Sequence, residues 1–394
     1  MMEIQNATLA SLSVDGRGSY GIGASAVERS DDLYTYLRIT DIRDDGTLNI
    51  ADLKSVDDEK ASQYLLKPND IVFARTGAST GRNYFYDGTD GEFVYAGFLI
   101  KFSLDPQKVN PKYVKYYCMS DAYKGWIHSF NTGSTRGNIN AQTLGGMPVP
   151  IPPRPQQDGI VGILSSLDEK IRKNTEVNEN LLQQAQSIFT QEFLSLDSIP
   201  DGWQESSLLG IADYLNGLAM QKYRPNDDEQ GLPVLKIKEL RQGSCDSNSE
   251  LCSPSIKPEY IVHDGDVIFS WSGSLLVDLW CGGTCGLNQH LFKVTSSAYD
   301  KWFYYAWTNH HLQKFAAIAA DMATTMGHIK REELAKAEVL IPSQSDYDRI
   351  GGLLAPLYDL VIANRIENRK LASLRDELLP QLMSGQLDVS EVSL

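Results

Sequence analysis

Three groups of residues have types and spacings that could support chemistry. Gly77-Ala-Ser79-Thr-Gly81 has the Gly-x-Ser-x-Gly spacing of a nucleophile elbow, in which a tight strand-to-helix turn presents a serine hydroxyl to a base. That turn requires a helix behind it, and Asn83-Tyr-Phe-Tyr86 reads as a strand. Gly16-Arg-Gly18-Ser-Tyr-Gly21 has dinucleotide-fingerprint spacing, but no apolar strand precedes it and no periodic helix follows, so it reads as a plain loop. Cys245, Cys252, Cys281 and Cys285, with His263 and His290 nearby, offer soft metal ligands. Six residues between the first two cysteines suit a zinc knuckle poorly, so buried or loop thiols are the simpler reading. His128, His310, His311 and His328 show no metal spacing. There is no phosphate-binding loop with its lysine, and no Asn-Pro-Pro-aromatic or Asp-Pro-Pro-aromatic tetrad of the kind that holds a flipped base in amino-methyltransferases. The expectation is a chain with no catalytic residue, no metal and no cofactor of its own.

The frame around these residues is large and soluble in character. The 394 residues, 42% hydrophobic and 22% charged, are enough for two or three domains and exclude wholesale disorder. No apolar run approaches the length of a membrane span. Glu3, Asn6, Asp15 and Arg17 interrupt the start, so no secretory signal is expected there. Five cysteines, an odd number, fit a reducing cytoplasm better than a disulfide scaffold. A net charge of −15 argues against an autonomous nucleic-acid binder. Within residues 67–137, however, nine bases face six acids, which leaves room for a local basic face.

The chain also repeats itself. Leu37, Ile39, Ile42 and Arg43 match Leu235, Ile237, Leu240 and Arg241, an alternation that predicts a strand. Tyr64 to Gly77 matches Tyr260 to Gly273, a turn, a buried strand and a glycine loop. From Gly137 and Gly327 the offset is a constant 190, carrying Ile139, Leu144 and Val149-Pro-Ile-Pro152 onto Ile329, Leu334 and Val339-Leu-Ile-Pro342.

Each copy ends in a long helical pattern. Ile160, Leu164, Leu167, Ile171, Asn174, Asn178, Leu181, Ala185 and Ile188 alternate in fours and threes, and Ile350, Leu354, Leu357, Val361, Asn364, Asn368 and Leu371 repeat that register. Such a seam predicts a coiled coil, with the first helix from about 157 to 195. Asn174 and Asn178 would meet Asn364 and Asn368 and fix the register; two helices each lying on its own domain are the alternative. The predicted architecture is α/β: two homologous globular domains separated by a pair of long antiparallel coiled-coil helices, a pseudo-twofold internal repeat. Boundaries fall at 1–153, 154–200, 201–342 and 343–394.

In order and duplication these segments resemble the specificity subunit of type I restriction-modification systems, over essentially the whole chain. The resemblance rests on Asp70-Ile-Val-Phe-Ala-Arg-Thr-Gly-Ala-Ser-Thr-Gly81, on Met147 to Pro153 leading into Ile160 to Lys173, on Gly202-Trp203, and on Leu382-Met-Ser-Gly-Gln-Leu387. The second copy departs from it, with Trp271 where the first has Arg75 and no proline-rich turn at Gln344 to Tyr347. The resemblance implies a non-catalytic, cytoplasmic subunit whose two target-recognition domains each read one half of a bipartite double-stranded DNA target. It implies two methyltransferase subunits as partners, with endonuclease or translocase subunits in restriction-competent complexes. S-adenosylmethionine, and ATP with Mg, would sit on those partners. An adaptor that binds proteins through two homologous units is the competing reading, favoured by the acidic charge.

Base readout needs donors and acceptors on loops beside a rigid sheet, with Arg suited to guanine and Asn to adenine. The first copy offers Arg75, Thr76, Ser79, Thr80, Arg82 and Asn83, then Ser134, Thr135, Arg136, Asn138 and Asn140. The second offers Ser270, Trp271, Ser272 and Ser274, then Thr324, Thr325, His328 and Lys330. Ser, Thr and Asn are also ordinary turn residues; it is their recurrence in both copies that singles them out.

Overall fold

The computed structural model describes residues 5–130, 138–321 and 329–389. The chain forms two compact units, Met1–Asp168 with Ser373–Leu394, and Glu169–Ala372. The division falls within the two long helices, so each unit contains a stretch of both.

In the first unit the central sheet has the order Ser19–Tyr20, Leu99–Ser103, Asp70–Ala74, Asn83–Tyr86, antiparallel throughout. Its middle strand, Asp-Ile-Val-Phe-Ala, is buried along its whole length, as a continuous apolar run demands. A second sheet contains Ala26–Val27, Lys54–Val56, Tyr34–Leu37 and Phe93–Tyr95, the last two parallel. A ribbon joins Gln5–Thr8 to Pro148–Ile151, where having only two strands tolerates the prolines. The helix Pro111–Tyr117 starts with Asn110 accepting from the Lys112 amide and proline at its first turn, the favoured way to begin a helix.

The second unit repeats this plan. Asp213–Asn216, Leu291–Thr295, Val267–Ser270 and Leu276–Leu279 form its central sheet, and Leu232–Leu235 lies parallel to Cys285–Leu287 as Tyr34–Leu37 does to Phe93–Tyr95. Lys101 pairs with the buried Asp70 at 3.1 Å and Lys293 with Asp266 at 2.8 Å, in matching positions. Gly21 and Gly217 match too: a Cβ on either would collide with carbonyl oxygens, those of Tyr95 and Ala96 or of Leu287 and Asn288.

One sequence expectation fails here. The strand expected through Ile42 and Leu240 stops at Leu37 and Leu235. Ile237–Gln242 is a helix, with the Glu239 carboxylate accepting from the Lys236 amide and Gly243 in the left-handed region at φ 76°. Ile42 and Leu240 are still buried; Ile237 and Leu240, three apart, share a helical face, whereas in a strand they would point to opposite sides.

The first long helix spans Arg154–Phe189, starting three residues before the expected position and ending in a wide turn at Thr190–Leu194. The second spans Gln344–Ser384. In the second unit Asn174 donates to Asn368 Oδ1 at 2.9 Å and Asn364 donates to Asn178 Oδ1 at 2.9 Å. The helices therefore run antiparallel and pack on one another, as the matched asparagines require. In the first unit Ile160, Leu164, Leu379 and Leu382 share one core with Phe73, Phe102 and Val389.

Domain and helices are also fastened by a slot that differs between the copies. In the first unit Asp168 accepts from Lys115 at 2.7 Å, from the Tyr116 hydroxyl at 2.8 Å and from Arg375 at 3.0 Å. The offset of 190 carries Lys115, Asp168 and, in reverse, Arg375 onto Tyr305, Tyr358 and Ala185. Tyr305 and Tyr358 meet edge to face at 5.0 Å, in the same core as Ala185. Two arginines add to the second unit's attachment: Arg365 to Asp278 at 2.7 Å, and Arg369 to both carboxylate oxygens of Asp264 at 2.8 Å.

Candidate nucleic-acid interface

Both central strands end on a loop tip that the repeat places identically. Arg75 follows the strand Asp70–Ala74; its amide donates to Phe98 O at 3.0 Å and its carbonyl accepts from Ile139 at 2.9 Å. Trp271 follows Val267–Ser270, and its carbonyl accepts from Ile329 at 2.9 Å. The loops that the sequence singles out in each copy therefore lie side by side, pinned by the same backbone bond.

On the first tip, the Arg75 guanidinium sits over the Tyr20 ring, 5.0 Å from its centroid. Such a cation over an aromatic face gains about 0.5–2 kcal/mol. Its Nε is buried and has no hydrogen-bond partner, and no carboxylate pairs with Arg75 among the described residues. Around it, Phe98 is 59% and Tyr20 42% exposed, both unusual for large aromatic residues. Thr76 bridges to the exposed Asn138. Asn140 is exposed and caps Ala141–Gly145, accepting from the Thr143 amide at 2.8 Å, and the Ala141 amide donates to the Tyr20 hydroxyl at 3.1 Å.

The other first-loop candidates are engaged in structure. Thr80 donates to Gly77 O at 2.7 Å, and Ser79 is buried in the Gly77–Ser79 turn. No helix follows that turn, so the nucleophile-elbow spacing is coincidental, as the strand Asn83–Tyr86 required. Asn83 points inward and donates to Cys118 O at 3.4 Å. Arg82 is gripped by Asp44, at 2.6 Å through Nε and 3.2 Å through Nη2. Ser134, Thr135 and Arg136 lie outside the described residues.

The second tip has different chemistry on the same backbone. The Trp271 indole N–H donates to Asn216 Oδ1 at 3.0 Å, and the ring packs against Phe292 and His290. His290 Nδ1 bonds the Ser272 hydroxyl at 3.2 Å. Ser270 and Ser272 are buried, Ser270 donating to Ser274 O at 2.9 Å, while Ser274 and Lys330 are exposed. Thr324, Thr325 and His328 lie outside the described residues.

Sequence reasoning missed Tyr20, Phe98 and Asn216, and noted His290 only as a neighbour of the cysteines. A signal was present: Tyr20-Gly21 and Asn216-Gly217 are matching pairs, each glycine forced by a close backbone approach. The anticipated basic face is largely neutralised. Lys101, Lys108, Lys112, Lys115 and Lys124 each pair with an aspartate, as does Arg82. Among the described residues of this stretch, Arg75 and Lys67 have no ion pair, and Arg75 has an aromatic neighbour, Tyr20. Of the cysteines, Cys285 lies on a buried strand, and donating its S–H to the Cys245 sulfur, together with burial, pushes its thiol far up.

A family model described as the type I restriction modification DNA specificity domain matches residues 27–183 and again 200–374. The chain is 23% identical over 303 residues to the type I restriction enzyme MjaIX specificity subunit of Methanocaldococcus jannaschii, covering 71% of this chain and 70% of that protein. It is 17% identical over 401 residues to the type I restriction enzyme HindI specificity subunit of Haemophilus influenzae, covering 82% and 87%. The crystal structure of the type I restriction-modification S subunit from M. genitalium superposes with a TM-score of 0.57 at 15% identity, over 97% of this chain and 96% of that one, a likeness of fold. Matched twice, once in each homologous half, the chain belongs to the type I restriction-modification DNA specificity family.

Proposed function

We propose that this chain is the DNA-reading, non-catalytic subunit of a type I methyltransferase complex, with each of its two domains reading one half of a bipartite target. The observation that carries this reading is the pair of tips. One backbone arrangement presents Tyr20, Arg75 and Phe98 in the first copy and Asn216, Trp271 and His290 in the second. A scaffold duplicated to do the same job twice would keep its side chains; one duplicated to read two different sequences would vary them at the tip. The acidic net charge fits a subunit that leaves much of the phosphate contact to its partners.

The partners in this reading are double-stranded DNA and two methyltransferase subunits, joined in restriction-competent complexes by endonuclease or translocase subunits. Leu353 and Leu360, seven residues apart and each 46% exposed on the second long helix, suit a protein partner on that flank. S-adenosylmethionine, and ATP with Mg, belong on those subunits. The setting is the cytoplasm; among the described residues no helix is long and apolar enough to cross a membrane.

The test is selection from a randomised duplex pool by this chain co-expressed with its candidate methyltransferase subunit. Two short blocks at fixed spacing are expected. An intact complex that binds DNA with the usual salt dependence yet selects no sequence would overturn the proposal.

A further inference from the structure

The two tips divide the work of recognition in opposite ways. Strand register sets Tyr20 opposite Ile100, which faces Phe73, and Asn216 opposite Phe292, which faces Phe269. Tyr20 and Asn216 therefore hold the same edge position, each beside the first residue after the central strand, Arg75 or Trp271. In the first copy the edge residue is a ring that supports, and the central residue is the polar head.

In the second copy the central residue supports and the edge residue is the polar head. An indole N–H can only donate, so the Asn216 oxygen must face Trp271 and the amide cannot turn over. Asn216 is exposed. Its Nδ2 has no hydrogen-bond partner among the described residues, and Oδ1 keeps a second lone pair. One donor and one acceptor, side by side and fixed in orientation, match the N7 and N6 edge of adenine. The Arg75 guanidinium, held by the Tyr20 face and without an acidic partner, presents two donors, matching the O6 and N7 edge of guanine.

We infer that Arg75 reads a guanine in one half-site and Asn216 an adenine in the other, with Tyr20 and Trp271 acting as positioning residues. This rests on the reading of the chain as a two-domain specificity subunit. Trp271 is thus no substitute for Arg75 as a base reader; it orients the reader beside it.

The experiment is the methylated-sequence profile of the assembled complex, comparing wild type with Arg75→Ala, Tyr20→Leu, Asn216→Ala and Trp271→Phe. Arg75→Ala is expected to relax one guanine position, and Asn216→Ala one adenine position in the opposite half-site. A bidentate base contact discriminates by about 1–3 kcal/mol, so the preference should fall roughly 5- to 150-fold. Trp271→Phe keeps an aromatic ring but removes the N–H; it should blunt the same adenine position by less than Asn216→Ala, an effect that loss of packing alone would not confine to one base. Tyr20→Leu should blunt the guanine position. Relaxation at other bases, both pairs mapping to one half-site, or a sequence-independent loss with a shallower salt slope would overturn the inference. A wild-type complex with no bipartite profile would instead overturn the underlying reading.

Discussion

Replacing Asp168 by asparagine tests how the first domain is held to its helices. The carboxylate is 20% exposed and its partners Lys115 and Arg375 are 32% and 14% exposed, so the amide would leave two cations facing a neutral group. Arg375 keeps Asp376 at 2.8 Å, whereas Lys115 keeps no carboxylate. Breaking a buried pair costs about 3–5 kcal/mol, and the partial exposure of Lys115 brings the expectation down to about 2–3 kcal/mol. For a unit of this size that is a fall in Tm of about 5–10 °C, read by calorimetry or circular dichroism on the full chain. The effect depends on pH in a set direction. Burial pushes the Asp168 carboxyl up, but Lys115 and Arg375 outweigh it and hold the group below its ordinary value of 3.8. Its contribution is therefore complete above about pH 4 and is lost as pH falls through the lowered folded-state value. The gap between wild type and Asp168→Asn should narrow in acid. A variant that melts within about 1 °C of wild type at pH 7, or a gap that widens in acid, would refute the reasoning.

Three further outcomes can be measured on the same chain. Asn174→Leu strands Asn368 Oδ1, to which Asn174 donates at 2.9 Å, and should cost about 1–3 kcal/mol in denaturant titration. Replacing all four seam asparagines by leucine should cost far less, because no polar group is then left unpaired. Gly217→Ala forces a methyl group against the Leu287 and Asn288 carbonyls; a loss of about 1–3 kcal/mol should accompany a blurred second half-site in the methylation profile while the first stays sharp. Asp264→Asn weakens the Arg369 clamp, a charge-assisted pair worth about 1.5–3 kcal/mol. The Arg369 hydrogen bonds hold the Asp264 carboxyl below its ordinary value, so this deficit too should be present at neutral pH and vanish in acid.

The sequence was most legible where a period ran uninterrupted. The seam from Ile160 to Ile188 keeps one spacing through two asparagines, and its repeat 190 residues on marked the four asparagines that come together, crosswise, as Asn174 with Asn368 and Asn178 with Asn364. The central strands were equally plain, because Ile71-Val-Phe73 and Val267-Ile-Phe269 are solid apolar runs. The passage beyond Leu235 was not: Leu235 and Ile237 alternate as a strand does while Ile237 and Leu240 share a helical face, and capping by Glu239 and Gly243 decided the matter. The candidate tips were half legible. Arg75 and Trp271 were found by alignment of the copies, but Tyr20 and Asn216 stand 55 residues away from them in sequence and arrive only through sheet pairing. Side-chain engagement was invisible as well. Nothing local marks Asn83 as inward-facing, or Arg82 as held by an aspartate 38 residues upstream.

The unequal slots beneath the two domains bear on how a duplicated chain assembles. At the centre of the helix pair the four asparagines are interchangeable between copies, so that region alone would let either domain settle on either end. The slots do not allow it. Were the helix Pro111–Tyr117 to dock on the wrong end, Lys115 would be set against Tyr358 and Ala185 with no counter-charge. Were Tyr305 to take its place, Asp168 would lose a cation. The first error leaves a half-buried cation uncompensated, at a cost of about 3–5 kcal/mol, comparable to much of a domain's net stability; the second leaves Asp168 with Arg375 alone. The ionic slot and the aromatic slot thus work as a lock with two different keys. A polypeptide that carries nearly the same fold twice can tell its first half from its second while it folds, and that distinction is written into each unit's core rather than into its exposed tip.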